Sequence, residues 1–430
     1  MNTDELERSR TCAEQVLAHV DAERLRTAIA DLAQYGGRED GGVARETLTP
    51  IDLQARRYLI DRARALGCTV EVDGCANLFF RYPGRTDLPP VLTGSHVDTQ
   101  PVGGQLDGAY GVVAGLEILQ ALRDAEVQTN RAIEVVVWTN EEGSRFGPGC
   151  MGSSAYVSPE RLAGFRAVRD ANQVSFGDAI DLALQLIPDV PRRAMQQPLA
   201  GFVELHIEQG PVLEAAGVPL GIVSGIQSVR WYRVNVTGTS AHAGTTPMDI
   251  RTDAMAASIS MAHRLYAAAA ELEADGLRLT LGRWVIKPNS INTIPGEVEF
   301  SVDMRCTDEG VLSRFDESMH AILQSNTGRT RVAVEAIFER KHTCFAPEMI
   351  TLIEEACTRT CQLVGKLEPL ILTSGAFHDA MYLADHCPTG MIFVPSVAGV
   401  SHNASERTNH IDLVLGTQAL AYAVTRMACS

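Results

Sequence analysis

The sequence predicts an α/β protein: a mostly parallel sheet with helices on both faces, interrupted by an inserted ferredoxin-like α+β domain. Three observations carry this. The chain has 430 residues, more than one ordinary core accommodates. From about residue 58 onward, short apolar runs of strand length alternate with amphipathic helical stretches, the pattern of parallel strands joined by covering helices. Between residues 222 and 340 the rhythm changes, and the alternation resumes afterwards.

Taken in order, residues 4–33 read as one or two amphipathic helices punctuated by Leu6, Val16, Leu17, Val20, Leu25 and Ile29. Strands are predicted at 91–95, 133–139, 202–206, 370–373 and 391–395. The helix after the first of these begins near Gly111 and carries Val112, Leu116, Leu119 and Leu122 along one side. The block from 222 to 340 reads as strand 230–237, helix 253–274, strands 277–285 and 297–305, helix 309–324 and strand 331–337, the split-βαβ order. We therefore expect one domain from 1–221 and 341–430, and a second from 222–340. Trp138, Trp231 and Trp284 lie in apolar strands and are expected in the core.

Composition narrows the function classes. Hydrophobic content of 45% with 21% charged residues is that of a soluble globular chain. A net charge of −16 argues against nucleic acid, which needs clustered Lys and Arg. It also means that an anionic substrate must meet a locally placed cation. The N-terminus lacks an apolar signal-peptide core, and no apolar run spans a membrane, so a cytoplasmic location is expected. Ten cysteines, none in a CxxC pair, read as reduced buried thiols; Cys357 and Cys361 have no second pair to complete a zinc site.

Several polar clusters directly follow predicted strands, where reactive groups collect in parallel sheets. His96 closes the first strand, and Asp98 is placed to hold its second ring nitrogen. Asp107 follows a Gly-rich turn, and its two oxygens suit a bridge between two ions. Glu141 and Glu142 sit in a non-helical turn after the second strand, so one can bind metal while the other stays a base. His206 and His402 follow two further strands. Singly these are weak: a lone strand-end histidine is more often structural, and paired glutamates are usually a solvated turn. Together, three His, one Asp and one Glu on separate strands are the donor inventory of a dinuclear zinc, manganese, cobalt or nickel site. Two such ions polarise a carbonyl and activate a bridging water.

Segments 94–108, 138–146 (with Glu-Glu-Gly-Ser-Arg-Phe), 206–211, 241–248 (Ala-His-Ala-Gly-Thr-Thr-Pro-Met), 292–296 and 401–409 resemble the M20 metallopeptidase-like amidohydrolases. The likeness is to the branch of N-carbamoyl amino acid hydrolases, β-ureidopropionases and allantoate amidohydrolases. The resemblance implies a zinc-exopeptidase-like fold in which His96 and His206 hold one metal, Glu142 and His402 the other, and Asp107 bridges them. It makes Glu141 the general base, and His242, supplied by the partner subunit of a homodimer, the stabiliser of the oxyanion. Asn292 and Arg305 would bind the substrate carboxylate, Gln209 the ureido group, and Ser374 and Gly375 would line the substrate loop. A planar guanidinium closing the strand at 305 suits that task; the plainer reading is an ion pair with Asp303 or Asp308. Phe377 departs from the family's glycine and adds bulk there. His378 and Asp379 are outer candidates rather than ligands; His19, His263, His320, His342, His386 and His410 read as structural.

The expected reaction is hydrolysis of an N-carbamoyl amino acid to amino acid, ammonia and carbon dioxide, on a small anionic ureido substrate. Allantoate hydrolysis is the nearest alternative, and an M20 dipeptidase or aminoacylase the next. A non-enzymatic binding protein would have lost a ligand or the base, and all six positions are intact. The inserted domain is expected to carry the homodimer contact and to close over substrate.

Overall fold

The computed structural model describes residues 3–325, 329–365 and 368–430; the first two residues of the polar N-terminal stretch lie outside it. The chain divides into two compact units, Met1–Gly225 with Cys344–Ser430, and Ile226–Thr343. The first crossing falls four residues beyond 222 because the strand Gly221–Ile226 pairs with Thr389–Val394 and stays with the larger sheet.

In chain order the strands are β1 (Thr69–Val72), β2 (Leu78–Tyr82), β3 (Val91–His96), β4 (Ile133–Trp138), β5 (Gly201–Ile207) and β6 (Gly221–Ile226). The second unit holds β7 (Ser228–Thr237), β8 (Ala241–His242), β9 (Arg278–Thr280), β10 (Trp284–Lys287), β11 (Thr293–Ile294), β12 (Glu297–Cys306) and β13 (Arg331–Arg340). β14 (Thr343–Cys344), β15 (Leu370–Ser374) and β16 (Thr389–Val394) follow.

The first unit is built on a sheet ordered β1-β2-β4-β3-β5-β16-β6-β14, with β15 beside β6. Its centre, β4-β3-β5-β16, is parallel throughout, and antiparallel pairs flank it. Every residue of these four strands is buried, because helices cover both faces; hence the continuous apolar runs in place of alternation. The helix Ala109–Asp124 is buried on nearly all sides, packing on β3, β5 and the helix His410–Ala428. Full burial of each of its Val, Leu and Ile side chains is worth about 1.5–3 kcal/mol. The four parallel strands all point the same way, so their carboxyl ends form one edge from which four loops emerge.

The second unit is an antiparallel sheet ordered β10-β12-β7-β13, with β9 also on β12. With its two helices the chain order is ββαββββαβ, which reduces to βαββαβ when β8 and β11 are set aside and β9 and β10 are counted as one strand. Alternate residues of β12 (Val298, Phe300, Val302, Met304, Cys306) face a core completed by Met261, Leu265, Phe315 and Met319 from the helices Ala254–Ala270 and Glu309–Gln324. Asp253 and Asp308 cap these helices, each accepting two backbone N–H groups, a contribution of about 1 kcal/mol apiece.

Two expectations are corrected. The strand at 277–285 is two short strands, β9 and β10, because the register against β12 slips by one residue between Thr280 (opposite Asp303) and Trp284 (opposite Phe300), where the indole Nε1 of Trp284 donates to Leu281 O (3.1 Å). Trp138 is fully buried; Trp231 and Trp284 are partly buried on the sheet, against Phe338 and Phe300, and Trp284 packs on the core of the second unit. Cys357 and Cys361 are buried in the helix Pro347–Leu363. No helix among the described residues is long and apolar enough to cross a membrane.

Candidate metal centre

Each loop leaving the four central parallel strands delivers one polar cluster to the same place. His96 ends β3, His206 lies near the end of β5, Glu141 and Glu142 follow β4, and His402 follows β16. Asp107 enters from the turn before the helix Ala109–Asp124. Gly108, at φ +63°, makes that entry possible, since a Cβ there would collide with the His96 imidazole.

Two donor groups share Asp107: His96, Asp107 and His206 form one, and Asp107, Glu142 and His402 the other. Their geometry is directional. Asp107 Oδ1 lies 3.6 Å from His96 Nε2 and 3.2 Å from His206 Nε2. Its Oδ2 lies 3.2 Å from His402 Nε2, which is 3.4 Å from Glu142 Oε2. The two oxygens of one carboxylate thus address opposite halves of the site.

The histidine tautomers follow from their other contacts. His96 Nδ1 is 2.9 Å from Asp98 O, and His206 Nδ1 is 2.9 Å from Ile207 O. A carbonyl only accepts, so both Nδ1 atoms carry a proton and both Nε2 atoms face Asp107. This corrects the expectation for Asp98: its main-chain carbonyl, not its carboxylate (3.7 Å away), orients His96. The carboxylate instead accepts the backbone N–H groups of Glu141 and Glu142, both at 3.3 Å, and so fixes the glutamate turn.

In that turn the two glutamates diverge. Glu142 accepts from Gln100 N (3.0 Å) and Gln100 Nε2 (2.7 Å) and faces His402. Glu141 faces the other half, its Oε2 3.4 Å from His96 Nε2, and Cys150 Sγ donates to its Oε1 at 3.5 Å. It belongs to neither donor group.

Charge states follow burial and neighbours. Burial raises Glu141 well above the usual carboxylate range, and raises Glu142 to about 7, with Asp107 adding and His402 opposing. Burial would raise Asp107 as well, but hydrogen bonds from His206, His402 and His96 outweigh it and hold Asp107 well below its ordinary value. The hydrogen bond to Asp107 lifts the half-exposed His402 to about 9. Imidazole and carboxylate donors in two groups joined by one two-oxygen bridge fit borderline divalent ions of the first transition row.

The remaining predicted residues are distributed as follows. Gln209 joins the site: its Nε2 donates to Asp107 Oδ2 (2.9 Å) and Ser401 Oγ (3.2 Å). Ser374, at the end of β15, donates to Ala376 O (2.7 Å) and lies 3.2 Å from His378 Nε2, beside exposed Gly375. His378 is buried with its ring 4.5 Å from that of His206. Phe377 packs over Gly149, in the loop after Glu141. His242, Asn292 and Arg305 belong to the second unit. There the β8–β11 ribbon brings the first two together, pairing His242 with Thr293 and Ala243 N with Asn292 O (3.0 Å). Arg305 makes the forked ion pair with Asp303, Nε to Oδ1 at 2.9 Å and Nη2 to Oδ2 at 2.8 Å.

Two buried residues, Glu204 and Glu406, and the half-buried Gln100 escaped sequence reasoning. Gln100 holds Glu142; Glu406 holds the Asp107 turn; Glu204 lies under His206, taking Ser95 Oγ (2.6 Å) and Ala380 N (3.0 Å). Glu204 and His378 form a third donor group with His206, but both Glu204 oxygens are already engaged. A glutamate inside the strand Phe-Val-Glu-Leu-His was the available signal.

A parallel sheet whose carboxyl edge gathers these donors around an unligated glutamate defines a metal-dependent hydrolase. The chain belongs to peptidase family M20/M25/M40, whose family model matches residues 92–426. It is 36% identical over 419 residues to the N-carbamoyl-L-amino acid amidohydrolase of Geobacillus stearothermophilus, covering 95% of this chain and 99% of that one. It is 35% identical over 401 residues to the allantoate amidohydrolase of Escherichia coli K12, covering 92% and 96%. Among solved structures, an amidase of the hydantoinase/carbamoylase family from Burkholderia vietnamiensis superposes with TM-score 0.86 at 37% identity, covering 96% and 98%.

Proposed function

We propose that this chain hydrolyses the ureido C–N bond of an N-carbamoyl amino acid, releasing the amino acid, ammonia and carbon dioxide, with two divalent ions per subunit. The observation that carries the reading is the split of Asp107, one oxygen towards His96 and His206 and the other towards His402 and Glu142. His96 and His206 would hold one ion, Glu142 and His402 the other, and Asp107 both; zinc, manganese, cobalt and nickel all suit the set. When bound, such a pair polarises the scissile carbonyl and makes water acidic at neutral pH.

The chain's own groups do the rest. Glu141, buried and outside both donor groups, takes a proton from water and returns it to the departing nitrogen. Asp98 aims it by gripping the turn. Gln209 spends its amide N–H groups on Asp107 and Ser401, which leaves its carbonyl to accept from the ureido group. Arg305 and Asn292 bind the substrate carboxylate, Arg305 exchanging Asp303 for it, while Ser374 and Gly375 border the pocket. His242 of a second copy stabilises the oxyanion, in a cytoplasmic homodimer formed through the inserted unit, which also acts as a lid.

Both named relatives act on ureido compounds by their names, so allantoate is the second reading. Ammonia release from N-carbamoyl-L-amino acids, N-carbamoyl-β-alanine and allantoate, with dipeptide cleavage as the contrast, tests the proposal. Turnover of allantoate alone overturns the substrate and keeps the chemistry; cleavage of dipeptides alone overturns both.

A further inference from the structure

Asp107 must address two centres at once, yet it sits in a turn rather than in a strand or helix. Something outside that turn has to fix it. Glu406, 5% exposed, makes three contacts there. Its Oε1 accepts the backbone N–H groups of Leu106 (3.0 Å) and Asp107 (3.1 Å). Its Oε2 accepts from Ser401 Oγ at 2.9 Å. The turn is shaped for this approach, since a Cβ on Gly104 would overlap the Glu406 carboxylate. Glu406 is itself anchored by its N–H to Asn403 O (3.0 Å), within the loop that carries His402.

The Ser401 contact has a further consequence. Ser401 Oγ lies 2.9 Å from Glu406 Oε2 and 3.3 Å from Asp107 Oδ2, but a hydroxyl has one proton. Gln209 Nε2 already donates to the Ser401 oxygen (3.2 Å). Both acceptors are carboxylate oxygens and the bond to Glu406 is the shorter, so the Ser401 proton points to Glu406 and away from Asp107 Oδ2. That oxygen's lone pairs stay available on the His402 side.

We propose that Glu406 is the positioning residue of the bridging carboxylate: it fixes the Asp107 backbone and keeps the Ser401 proton off Asp107 Oδ2. This rests on the two-ion reading above. Glu406→Gln separates the two actions. Its carbonyl must face the two backbone N–H groups, because an NH2 there would oppose two donors. Its NH2 then faces Ser401, which has to turn its proton onto Asp107 Oδ2.

The test strips the full-length protein of metal and titrates it with Zn2+ against a chromophoric chelator, with stoichiometry from elemental analysis. Wild type should take up two ions. Glu406→Gln should weaken one of them roughly 10–100-fold and leave the other within about threefold. Adding Ser401→Ala to Glu406→Gln should restore wild-type affinity to within about threefold, because no proton is left to turn. Ser401→Ala alone, which leaves every carboxylate in place, should bind like wild type. Wild-type affinity in Glu406→Gln, a double variant as weak as the single, or a loss in Ser401→Ala alone each overturns the proposal while the two-ion reading stands. Fewer than two ions in the wild type overturns both.

Discussion

Glu141→Gln is the perturbation that most directly separates catalysis from metal binding. The exchange is isosteric, and the anchors of the turn survive it: Cys150 N still donates to the Glu141 carbonyl (2.8 Å), and the Glu141 N–H still reaches Asp98 (3.3 Å). What disappears is a proton acceptor 5% exposed to solvent, too buried for bulk water to replace at the same place. A positioned general base contributes about 10²–10⁴-fold, which corresponds to about 3–5 kcal/mol of barrier. We therefore expect kcat to fall by that factor with KM changed less than about threefold. Elemental analysis should find the same metal content as in wild type, because Glu141 lies in neither donor group. Ammonia release under saturating substrate, measured beside metal content, decides. Activity within about threefold of wild type removes Glu141 from the base role; a variant that has lost an ion makes it a ligand, and the division between the two glutamates is then wrong.

Metal affinity should rise with pH, because the stripped site holds a proton on Glu142 up to about 7 and on His402 up to about 9, and binding must expel them. The number of protons released on binding should fall as pH rises through about 7 and again through about 9; calorimetry in buffers of different ionisation enthalpy counts them, and affinity flat across that range refutes the assignment. Chelation should lower the melting temperature. Two ions at about 100 times Kd add about 5 kcal/mol, which for a unit of roughly 300 residues is on the order of 5–10 °C; a midpoint unmoved by verified metal loss counts against the site. Mixed His242→Ala and Glu141→Gln subunits should regain about a quarter of wild-type activity, since half the dimers are mixed and each holds one intact site; no recovery places His242 in its own subunit's site or outside catalysis. Arg305→Ala should raise KM roughly 10–150-fold, the worth of charge-assisted bonds, and an unchanged KM leaves Arg305 as the partner of Asp303 alone.

Sequence pattern revealed those parts of the site that are strand ends. His96, His206 and the Glu141–Glu142 pair could be placed because a buried parallel strand is a largely apolar run, and polar residues at or just beyond its carboxyl end stand at the sheet's edge. Period and length sufficed for that. The bracing layer was not legible, for reasons of distance and atom type. Glu406 reaches Leu106 across 300 positions, and nothing in the spacing of Ser-His-Asn-Ala-Ser-Glu marks which acid turns inward. Asp98 was placed correctly beside His96, yet which of its oxygens takes the ring proton depends on a backbone carbonyl that no residue type encodes. The split of the strand at 277–285 is a one-residue slip of register against β12 between Thr280 and Trp284, which the strand-length run Leu-Arg-Leu-Thr-Leu-Gly-Arg-Trp-Val does not mark.

The electrostatics of the first unit set Asp107 apart from the other carboxylates around the centre and support the proposed bridge. Asp98, Glu141, Glu204, Asp379 and Glu406 are all buried around the centre, and Glu142 presents a buried carboxylate to it. The neighbouring buried arginines do not neutralise them. Arg56 pairs with Asp52 (2.8 Å), and Arg45 spends its guanidinium on the carbonyls of Val97, Leu32 and Tyr35. Two like charges 4 Å apart repel by about 4 kcal/mol at an effective dielectric constant of about 20, so such a cluster holds protons or cations. The pattern of shifts follows that rule: burial raises Asp98, Glu141, Glu142, Glu204, Asp379 and Glu406 alike. Asp107 alone among these seven is lowered, because three imidazoles converge on it. A ligand shared by two cations must stay ionised while its neighbours trade protons, and this is the one acid around the centre whose surroundings hold it in that state.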